Sequence, residues 1–423
     1  MKKIFVVIIL LLISFFVFSF NLDLIRSTAK KYLPTETKSI VKKFFFGEER
    51  LEELRQLNEY AKMNYNQKVL PETQFTNMYL NEVLLSDLKP ISIKFFIEQF
   101  DEDLIIVDHK GKIFFINKKF IADPNDLNWK RVSSNLNTPN VRVKDVLILK
   151  NEIYVSYVEF DETLKCDSIK ISKAKISKKE LDFEIFFTSK ECKSFNAGRM
   201  VFYNHDNEDG LLLSTTAECN MGKLAQDDNS IMGKILFIDF KTKNYKIFSK
   251  GHRNPQGLTV EKNFILSAEH GPTGGDEINL IQFGKNYGWN TASYGEVDSC
   301  VEKSSKVYEY YKNHSDHGFV EPIYAFVPSI GINQIIKVPD NFSEYWKNNF
   351  LVTSLAGRHI HRVLFDKNFT KLIFNEKIYT GKRMRDIYYI KEYNVFLIAL
   401  EGDSSPDGDS TPSIGILSNS LIN

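Results

Sequence analysis

The chain has 423 residues, of which 43% are hydrophobic and 26% are charged, so it is long and apolar enough to bury a large core and is not disordered overall. Its 55 basic and 54 acidic side chains nearly cancel and leave a formal net charge of +1. A chain without a large charge excess has no global field that would attract nucleic acid, so we expect no nucleic-acid partner.

The first residues contain an apolar segment from Ile4 to Phe20, which follows Lys2 and Lys3. This pattern predicts either a cleaved secretory signal or an uncleaved signal anchor, and the length of the segment favours the anchor. Because the positive residues stay inside, we expect the remainder to be exported. It would then face the periplasm or the exterior, held at the inner membrane by residues 4–20.

A lysine-rich stretch follows, in which Leu51, Leu54, Leu57 and Ala61 recur at helical spacing. The spacing predicts a short helix within residues 21–74. Two interpretations stay open, since the repeat covers only about two heptads. The helix is either a stalk that lifts the domain from the membrane and self-associates, or it packs on the edge of the following domain.

From residue 77 onward, short β-rich runs recur between polar turns, at spacings that favour an all-β propeller or sandwich over an α/β fold. The runs occupy residues 101–117, 141–160, 209–216, 233–240, 264–270, 348–355, 359–366 and 385–400. We therefore divide the chain into residues 1–20 (signal or anchor), 21–74 (helical stalk or linker) and 75–423 (the β domain).

Four cysteines, Cys166, Cys192, Cys219 and Cys300, are consistent with an oxidising compartment and allow three disulfide pairings. We favour Cys166 with Cys192 and Cys219 with Cys300. The alternative is that some remain free buried thiols, since spacing alone does not fix the connectivity. The spacing lacks a CxxC pair, so a structural zinc site is not expected.

Three glycine-rich motifs lie close together between residues 251 and 289: GHRNPQG, EHGPTGGDE and GKNYGW. They combine charged side chains with glycines that permit tight bends and close approach of a ligand. The combination predicts a binding site for an anion, a metal ion or a planar ligand.

These motifs resemble the signature of the glucose/sorbosone (aldose sugar) dehydrogenase family. The resemblance extends over about residues 195–402 and includes NAGRMVF (196–202), AQDDNSIMGKIL (225–236), PSIGINQI (328–335) and RMRDIYYI (383–390). It implies a six-bladed β-propeller that binds pyrroloquinoline quinone and calcium. The number of blades comes from the resemblance and not from internal repeats.

The resemblance also implies a set of cofactor-binding residues. Arg253 and Asn254 match residues that reach the quinone oxygens, and Arg383 and Arg385 match a pair that holds the cofactor carboxylates. His270 occupies a position at which the family has a His or Gln in contact with the cofactor. These are suitable groups for an anionic, planar ligand. The alternative for Arg253 is a structural ion pair at a turn.

Two calcium sites are implied by the same resemblance. The backbone carbonyls of Gly271 and Pro272 match ligands of the calcium ion that bridges the protein and the quinone. Glu277 and the carbonyl of Tyr287 match a second, structural calcium site. Oxygen ligands of this kind suit calcium. The alternative for Glu277 and Tyr287 is that they are solvated loop residues.

The chain departs from the family at two positions where the chemistry matters. Phe195 occupies the position of a His that acts as general base, and phenylalanine cannot accept a proton. Glu218 matches the acidic residue that orients this base. His205 and His252 are alternative bases. The second departure is Ala356, where many members have a lysine. Three nearby residues that offer compensating charge are Arg358, His359 and His361.

Two further groups resemble metal ligands. His314 and His317 lie three residues apart, and Asp403, Asp407 and Asp409 lie in a loop rich in Gly, Ser and Pro. Neither group has the ordered spacing of a dedicated metal site, so we favour solvated surface loops for both.

We therefore expect a quinoprotein-type oxidoreductase that oxidises an aldose or related alcohol and passes electrons to an external acceptor, with activity impaired or altered by Phe195. Two other functions stay open because fold and chemistry are separable. One is a non-catalytic, calcium-stabilised propeller that binds a carbohydrate or a partner protein. The other is a calcium-dependent hydrolase or lactonase.

Overall fold

A computed structural model describes residues 67–69, 78–85, 91, 94–298, 309–401 and 411–420. All of them belong to one unit, residues 64–423. Within these ranges the chain forms strands and five short 3-10 helices, and it has no α-helix. The 3-10 helices are Lys118–Ile121, Pro124–Asp126, Cys219–Gln226, Ser315–His317 and Glu344–Trp346. None of the described helices has the length and apolar character needed to cross a membrane.

Twenty-six strands are described, and most are rich in β-branched and aromatic residues. In chain order they are β1 (Gln67–Val69), β2 (Tyr79–Leu84), β3 (Phe95–Phe100), β4 (Asp103–Asp108), β5 (Ile113–Asn117), β6 (Trp129–Ser134), β7 (Val141–Leu149), β8 (Glu152–Asp161), β9 (Cys166–Lys175), β10 (Glu180–Leu181), β11 (Glu184–Thr188), β12 (Met200–His205), β13 (Glu208–Ser214), β14 (Lys234–Asp239), β15 (Tyr245–Lys250), β16 (Pro255–Glu261), β17 (Phe264–Glu269), β18 (Asp276–Ile281), β19 (Tyr324–Phe326), β20 (Ile332–Lys337), β21 (Asn349–Ser354), β22 (His359–Phe365), β23 (Leu372–Tyr379), β24 (Arg383–Ile390), β25 (Val395–Glu401) and β26 (Ser413–Ser418).

The strands form six sheets. Three sheets, read from the outer to the inner strand, have the orders β1-β2-β26-β25-β24, β10-β6-β5-β4-β3 and β11-β9-β8-β7. The other three, read from the inner to the outer strand, have the orders β12-β13-β14-β15, β16-β17-β18-β19 and β20-β21-β22-β23. The inner strands β24, β3, β7, β12, β16 and β20 contact one another in a closed ring. The first strands of the domain pair with its last ones, since β2 lies antiparallel to β26. The predicted all-β, six-bladed β-propeller is confirmed.

The blades pack face to face, which explains the long apolar runs in the middle strands. All six residues of β4 are buried, because each of its two faces meets an adjacent sheet. One face contributes Leu104 and Ile106 to a cluster with Leu397 and Ile416 of the closing sheet. A continuous apolar run of this length is typical of a strand that is covered on both sides.

A buried arginine joins four inner strands at the centre of the ring. Arg199, which is 3% exposed and directly precedes β12, donates from Nη1 to Asp145 Oδ1 at 2.8 Å and to Asp386 Oδ1 at 3.1 Å. Its Nε donates to the carbonyl oxygen of Gln256 and its Nη2 to that of Arg385, both at 2.7 Å. Strands β7, β12, β16 and β24 are therefore held together by one guanidinium group.

The predicted Cys166–Cys192 disulfide is present and links the start of β9 to the segment after β11. Cys219 is also disulfide-bonded. Cys300, residues 1–66 with the predicted anchor and most of the predicted stalk, and Asp403, Asp407 and Asp409 lie outside the described residues. Strand β1 falls within the segment predicted as stalk or linker and pairs with β2, so the paired strands of the domain begin before residue 75.

Candidate functional site

Two neighbouring hollows lie where the loops between blades meet the ends of the inner strands. The first, which we call the central cavity, has a volume of about 200 Å³ and is lined by residues that include Lys94, His109, Lys144, Arg199, Asn254 and Arg385. The second, which we call the outer cleft, has a volume of about 580 Å³ and is lined by residues that include Glu218, Arg253, Gly271, Pro272, Ala356 and Arg383. His270 and Leu355 line both, so the two hollows adjoin.

Arg253 is fixed beside the outer cleft by several groups at once. Its Nη1 lies 3.0 Å from Glu218 Oε1 and donates to the carbonyl oxygen of His270 at 3.0 Å. Its Nη2 donates to Asp298 Oδ2 at 2.7 Å, and the guanidinium lies over the ring of Trp289. Its Nε is buried and has no hydrogen-bond partner among the described residues. The structural ion pair considered for Arg253 therefore exists, and one donor nitrogen remains unused.

Glu218 connects Arg253 to the floor of the central cavity. Its Oε1 accepts from Asn254 Nδ2 at 3.1 Å, and its Oε2 accepts from Asn196 Nδ2 at 2.6 Å. Asn254 Oδ1 in turn accepts from Gln256 Nε2 at 2.7 Å. The predicted residues Glu218, Arg253 and Asn254 thus form one hydrogen-bonded group that spans both hollows.

The arginine pair at the start of β24 shares one buried carboxylate. Arg383 Nε lies 3.1 Å and Arg385 Nε lies 2.6 Å from the two oxygens of Glu401, whose side chain is 2% exposed. Burial acts to raise the pKa of Glu401, but the charges of Arg385 and Arg383 outweigh it and hold that pKa below its ordinary value. Arg383 faces the outer cleft and Arg385 faces the central cavity. The two arginines therefore bind the same carboxylate but line different hollows.

The loop after β17 is closely packed at Gly271 and Gly275, where the backbone leaves no room for a side chain. A Cβ on Gly271 would lie 1.7 Å from the carbonyl oxygen of Gly275, and Gly274 has a φ of +93°. Asp276 ties the loop to the start of β20, since its Oδ1 accepts from the Gly271 amide at 3.2 Å and its Oδ2 accepts from the Ile332 amide at 2.8 Å. The loop therefore keeps the backbone at Gly271 in a fixed position on the wall of the outer cleft.

Pro272 and His270 add polar atoms to this wall. The carbonyl oxygen of Pro272 accepts only long bonds, from the Gly275 amide at 3.3 Å and from Ser329 Oγ at 3.5 Å. The Nε2 of His270 is buried and lacks a hydrogen-bond partner among the described residues. Burial lowers the pKa of His270, although Asp276 opposes the shift. Burial therefore favours the neutral form of the His270 imidazole.

Glu277 and Tyr287 line neither hollow. Glu277 is 6% exposed and is the cross-strand partner of Glu269. Burial, followed by the charge of Glu269, raises the pKa of Glu277 well above its ordinary value. The nearby oxygens Ser267 Oγ and Asn279 Oδ1 are buried without hydrogen-bond partners among the described residues. Such a set of buried oxygens suits a cation with oxygen ligands.

Tyr287 is held by its hydroxyl group, which donates to the carbonyl oxygen of Leu280 at 2.5 Å and accepts from the Gln282 amide at 2.9 Å. Its ring stacks on His252, which binds Glu269 Oε2 through Nδ1 at 3.0 Å. Tyr287 and Glu277 are thus both buried, and neither is the solvated loop residue considered as the alternative. Among the described residues, no three His, Cys, Asp or Glu side chains converge as a metal cluster.

Phe195 and Ala356 differ in their surroundings. Phe195 is 1% exposed and packs in an apolar cluster with Ala217, Met232 and Trp289, so its ring reaches neither hollow. Ala356 is exposed on the wall of the outer cleft. The first departure from the family motif therefore lies in the core, and the second leaves open space in the cleft.

The other histidines named from the sequence lie away from both hollows. His205 packs among Phe237, Phe248 and Phe283, and His252 is fully buried. His359 and His361 bind each other through their Nε2 atoms at 2.8 Å. His314 is buried between Glu277 and Glu321, whereas His317 stacks on Tyr311, so the two do not form a metal-binding pair.

Sequence reasoning missed three residues of the central cavity: Lys94, His109 and Lys144. They come from the first two complete sheets, where the motifs are weakest. His109 Nδ1 donates to the carbonyl oxygen of Val143 at 3.1 Å, which leaves Nε2 as an acceptor. Burial, followed by the charge of Lys144, lowers the pKa of His109 to about 4. The signal that the sequence offered was their position beside a strand: Lys94 directly precedes β3, His109 directly follows β4, and Lys144 lies within β7.

Comparison with known proteins agrees with this geometry. The family model "Glucose / Sorbosone dehydrogenase" matches residues 89–405. The chain is 28% identical to the aldose sugar dehydrogenase of Escherichia coli over 207 residues, which cover 45% of this chain and 53% of that protein. The chain spans about half the length of the curated relatives it matches.

Solved structures show the same fold at low sequence identity. The apo form of the soluble aldose sugar dehydrogenase from E. coli has a TM-score of 0.64 at 20% identity, over 81% of this chain and 100% of that chain. The PQQ-bound aldose sugar dehydrogenase from Streptomyces coelicolor has a TM-score of 0.57 at 16% identity, over 83% of this chain and 98% of that chain.

Proposed function

The chain belongs to the glucose/sorbosone dehydrogenase family, and from this premise we propose that it is a quinoprotein-type oxidoreductase that oxidises an aldose or related alcohol. The observation that supports this most is the convergence of Arg253, His270 and Arg383 on one cleft. Two of these residues carry buried nitrogen atoms without partners among the described residues. Buried polar groups of this kind need a ligand or water.

The residues of the outer cleft, together with Asn254 and Arg385 of the adjoining central cavity, fit pyrroloquinoline quinone and calcium. Arg253 and Asn254 would bind the quinone oxygens, and Arg383 and Arg385 would bind carboxylates, because guanidinium groups suit both kinds of oxygen. The carbonyl oxygens of Gly271 and Pro272 would hold calcium, and the weak bonds to Pro272 support this. When bound, the quinone would supply the two-electron acceptor.

The chain itself must accept the proton of the sugar hydroxyl group, and Phe195 cannot do so. His109 is the group in the central cavity best suited to this role, since its Nδ1 is committed to Val143 and its Nε2 is free to accept. Its low pKa keeps the imidazole neutral at pH 7. Glu218, which binds Asn196, Asn254 and Arg253, would position the polar groups around the reacting alcohol.

Steady-state reduction of a redox dye by a panel of aldoses, with added quinone and calcium, tests this proposal. We expect turnover only when both are present. His109→Gln should lower kcat by roughly 10²–10⁴-fold, the usual contribution of a general base. His317→Gln, at an exposed histidine far from both hollows, is the matched control and should change little. No turnover with any aldose, in protein that retains the quinone, would refute the dehydrogenase proposal.

The burial of Phe195 favours one alternative, a non-catalytic propeller that binds carbohydrate or a partner protein with the aid of calcium. This alternative predicts that sugars bind with an affinity measurable by calorimetry while no dye is reduced. The buried carboxylate Glu277 and its unsatisfied neighbours would serve calcium in either case.

We also propose that the domain is exported and that residues 4–20 act as a signal or anchor. The Cys166–Cys192 disulfide supports an oxidising compartment. Fusion of a periplasm-dependent reporter to the C-terminus tests this. An active reporter is expected, and an inactive reporter in cells that make the intact fusion protein would contradict the proposal.

A further inference from the structure

The lining of the central cavity is strongly cationic. It includes Lys94, Lys144, Arg199 and Arg385, and no Asp or Glu is among its lining residues. Arg199 is neutralised by Asp145 and Asp386, and Arg385 shares Glu401 with Arg383. Lys94 and Lys144 have no ion pair or hydrogen bond from their ammonium groups to any described residue. Two positive charges in this cavity are therefore left without an ion-pair partner among the described residues, although Glu401 attracts Lys94 and Asp167 attracts Lys144 from a greater distance.

The position of Lys144 is fixed by the backbone beneath it. A Cβ on Gly198 would lie 2.5 Å from Lys144 Cβ and 3.0 Å from its Cγ, so the absence of a side chain at residue 198 makes room for the lysine stem. Lys144 belongs to β7 and Gly198 lies before β12, and both line the cavity. The neighbouring Arg142 is paired instead with Asp167. Lys144 is thus seated against the next blade and is not a mobile surface lysine.

The two ammonium groups lie in an unfavourable environment. Burial, followed by the charges of Arg142, Arg385 and Lys94, lowers the pKa of Lys144 to about 8, although Asp167 opposes the shift. Burial and Arg385 also lower the pKa of Lys94. Like charges that are partly desolvated and unpaired cost free energy, and a bound anion removes that cost. A site with this arrangement discriminates in favour of negatively charged ligands.

We infer that the central cavity binds the anionic group of an acidic sugar, a sugar that carries a carboxylate or a phosphate, with Lys94 and Lys144 as its specificity-determining residues. This inference rests on the proposed function in taking the ligand to be a sugar. The uncharged polar groups of Asn196 and Gln256 line the same cavity and suit hydroxyl groups. Neutral aldoses leave the two ammonium groups unpaired and bind less tightly.

The quinone cofactor is a less suitable ligand for Lys94 and Lys144 than an acidic sugar is. The outer cleft already offers Arg253, Arg383 and the Gly271–Pro272 backbone to an anionic quinone and calcium. Lys94 and Lys144 line only the central cavity. The charged and titratable groups that line the cavity with them are His109, Arg199 and Arg385, and all three are basic. The carboxylates that act on the two lysines, Glu401 on Lys94 and Asp167 on Lys144, do not line the cavity and are already paired with arginines.

Isothermal titration calorimetry of the full chain with glucuronate, glucose 6-phosphate and glucose tests the inference, in the presence and absence of quinone and calcium. At least one acidic sugar should bind about ten- to a hundred-fold more tightly than glucose, as expected for charge-assisted hydrogen bonds. The Lys94→Met/Lys144→Met double variant should lose this preference, and Lys144→Arg should retain it. Lys246→Met, on the outer strand β15, is the matched control. A comparison of glucuronate with glucose 6-phosphate identifies which anionic group is preferred.

Equal binding of glucose and both acidic sugars would overturn the inference, as would an unchanged preference in the double variant. Loss of quinone binding in a folded double variant, with sugar binding unchanged, would assign the lysines to the cofactor and would also overturn it. The readout does not need turnover. Lysine-dependent binding of an acidic sugar without dye reduction would therefore support the inference and contradict the proposed oxidation.

Discussion

Replacement of Arg199 by methionine should destabilise the propeller more than the loss of any exposed ion pair. The substitution removes four hydrogen bonds that join four inner strands, and it leaves Asp145 and Asp386, which are 4% and 6% exposed, without a cation. Loss of one partner from a buried ion pair costs about 3–5 kcal/mol. At about 2.1 cal/mol/K of unfolding entropy per residue, that predicts a fall in the unfolding temperature of roughly 4–7 °C for the unit of residues 64–423.

The loss of stability caused by Arg199→Met should also depend on pH. In the folded protein, burial raises the pKa of Asp145 to about 6, even though Arg199 opposes the shift, and burial also raises the pKa of Asp386. A carboxyl group with a raised pKa contributes stability that is present below its ordinary pKa and is lost as the pH rises through the folded value. Without Arg199 the pKa values of Asp145 and Asp386 rise further, because no cation then opposes the effect of burial. The stability deficit of the variant should therefore be larger at pH 8 than at pH 5.

Thermal unfolding, followed by calorimetry at one scan rate, measures both effects. Arg142→Met is the matched control, because Arg142 pairs with Asp167 but its side chain is 33% exposed. Loss of a partly exposed pair should cost about 1 kcal/mol or less. The argument fails if Arg199→Met unfolds at the same temperature as Arg142→Met, or if its deficit is the same at both pH values.

Three other predictions concern the loop, the disulfide and a buried histidine. Gly271→Ala should abolish calcium-dependent stabilisation in thermal unfolding, since the new Cβ would lie 1.7 Å from a backbone oxygen, whereas Gly318→Ala, which has open space, should cost only about 1 kcal/mol of backbone strain. Reduction of the Cys166–Cys192 disulfide should lower the free energy of unfolding by about 3 kcal/mol, and an unchanged denaturation midpoint would contradict this. Burial lowers the pKa of His361 to about 4, so stability should fall as the pH drops from 6.5 towards 4, and His361→Gln should reduce that slope; equal slopes would exclude the residue as a cause.

The sequence predicted the architecture because its signals are local. Alternating and continuous apolar runs marked the strands, and the glycine-rich motifs marked the loop around Gly271 and the cluster of Arg253, Asn254 and Glu218. These residues lie within two or three neighbouring blades. The number of blades needed the family resemblance, because the sheets share no readable repeat.

The centre of the ring could not be predicted in the same way. Lys94, Lys144, Arg199 and Arg385 come from four different sheets and meet only when the propeller closes. The burial of Phe195 could not be predicted either, since this residue occupies a position expected to face the site and is instead buried in the core. Pairings of this kind depend on contacts far apart in the chain, and local patterns do not record them.

The most direct test of the central claim is single-turnover spectroscopy. The full chain is loaded with pyrroloquinoline quinone and calcium, freed of excess quinone by gel filtration, and mixed with an aldose or an acidic sugar in the absence of any other electron acceptor. We predict that the protein retains about one quinone, loses it on chelation of calcium, and gives the absorbance change of the reduced quinone when the sugar is added. A protein that retains no quinone, or whose bound quinone stays oxidised with every sugar, would contradict the assignment as a sugar-oxidising quinoprotein.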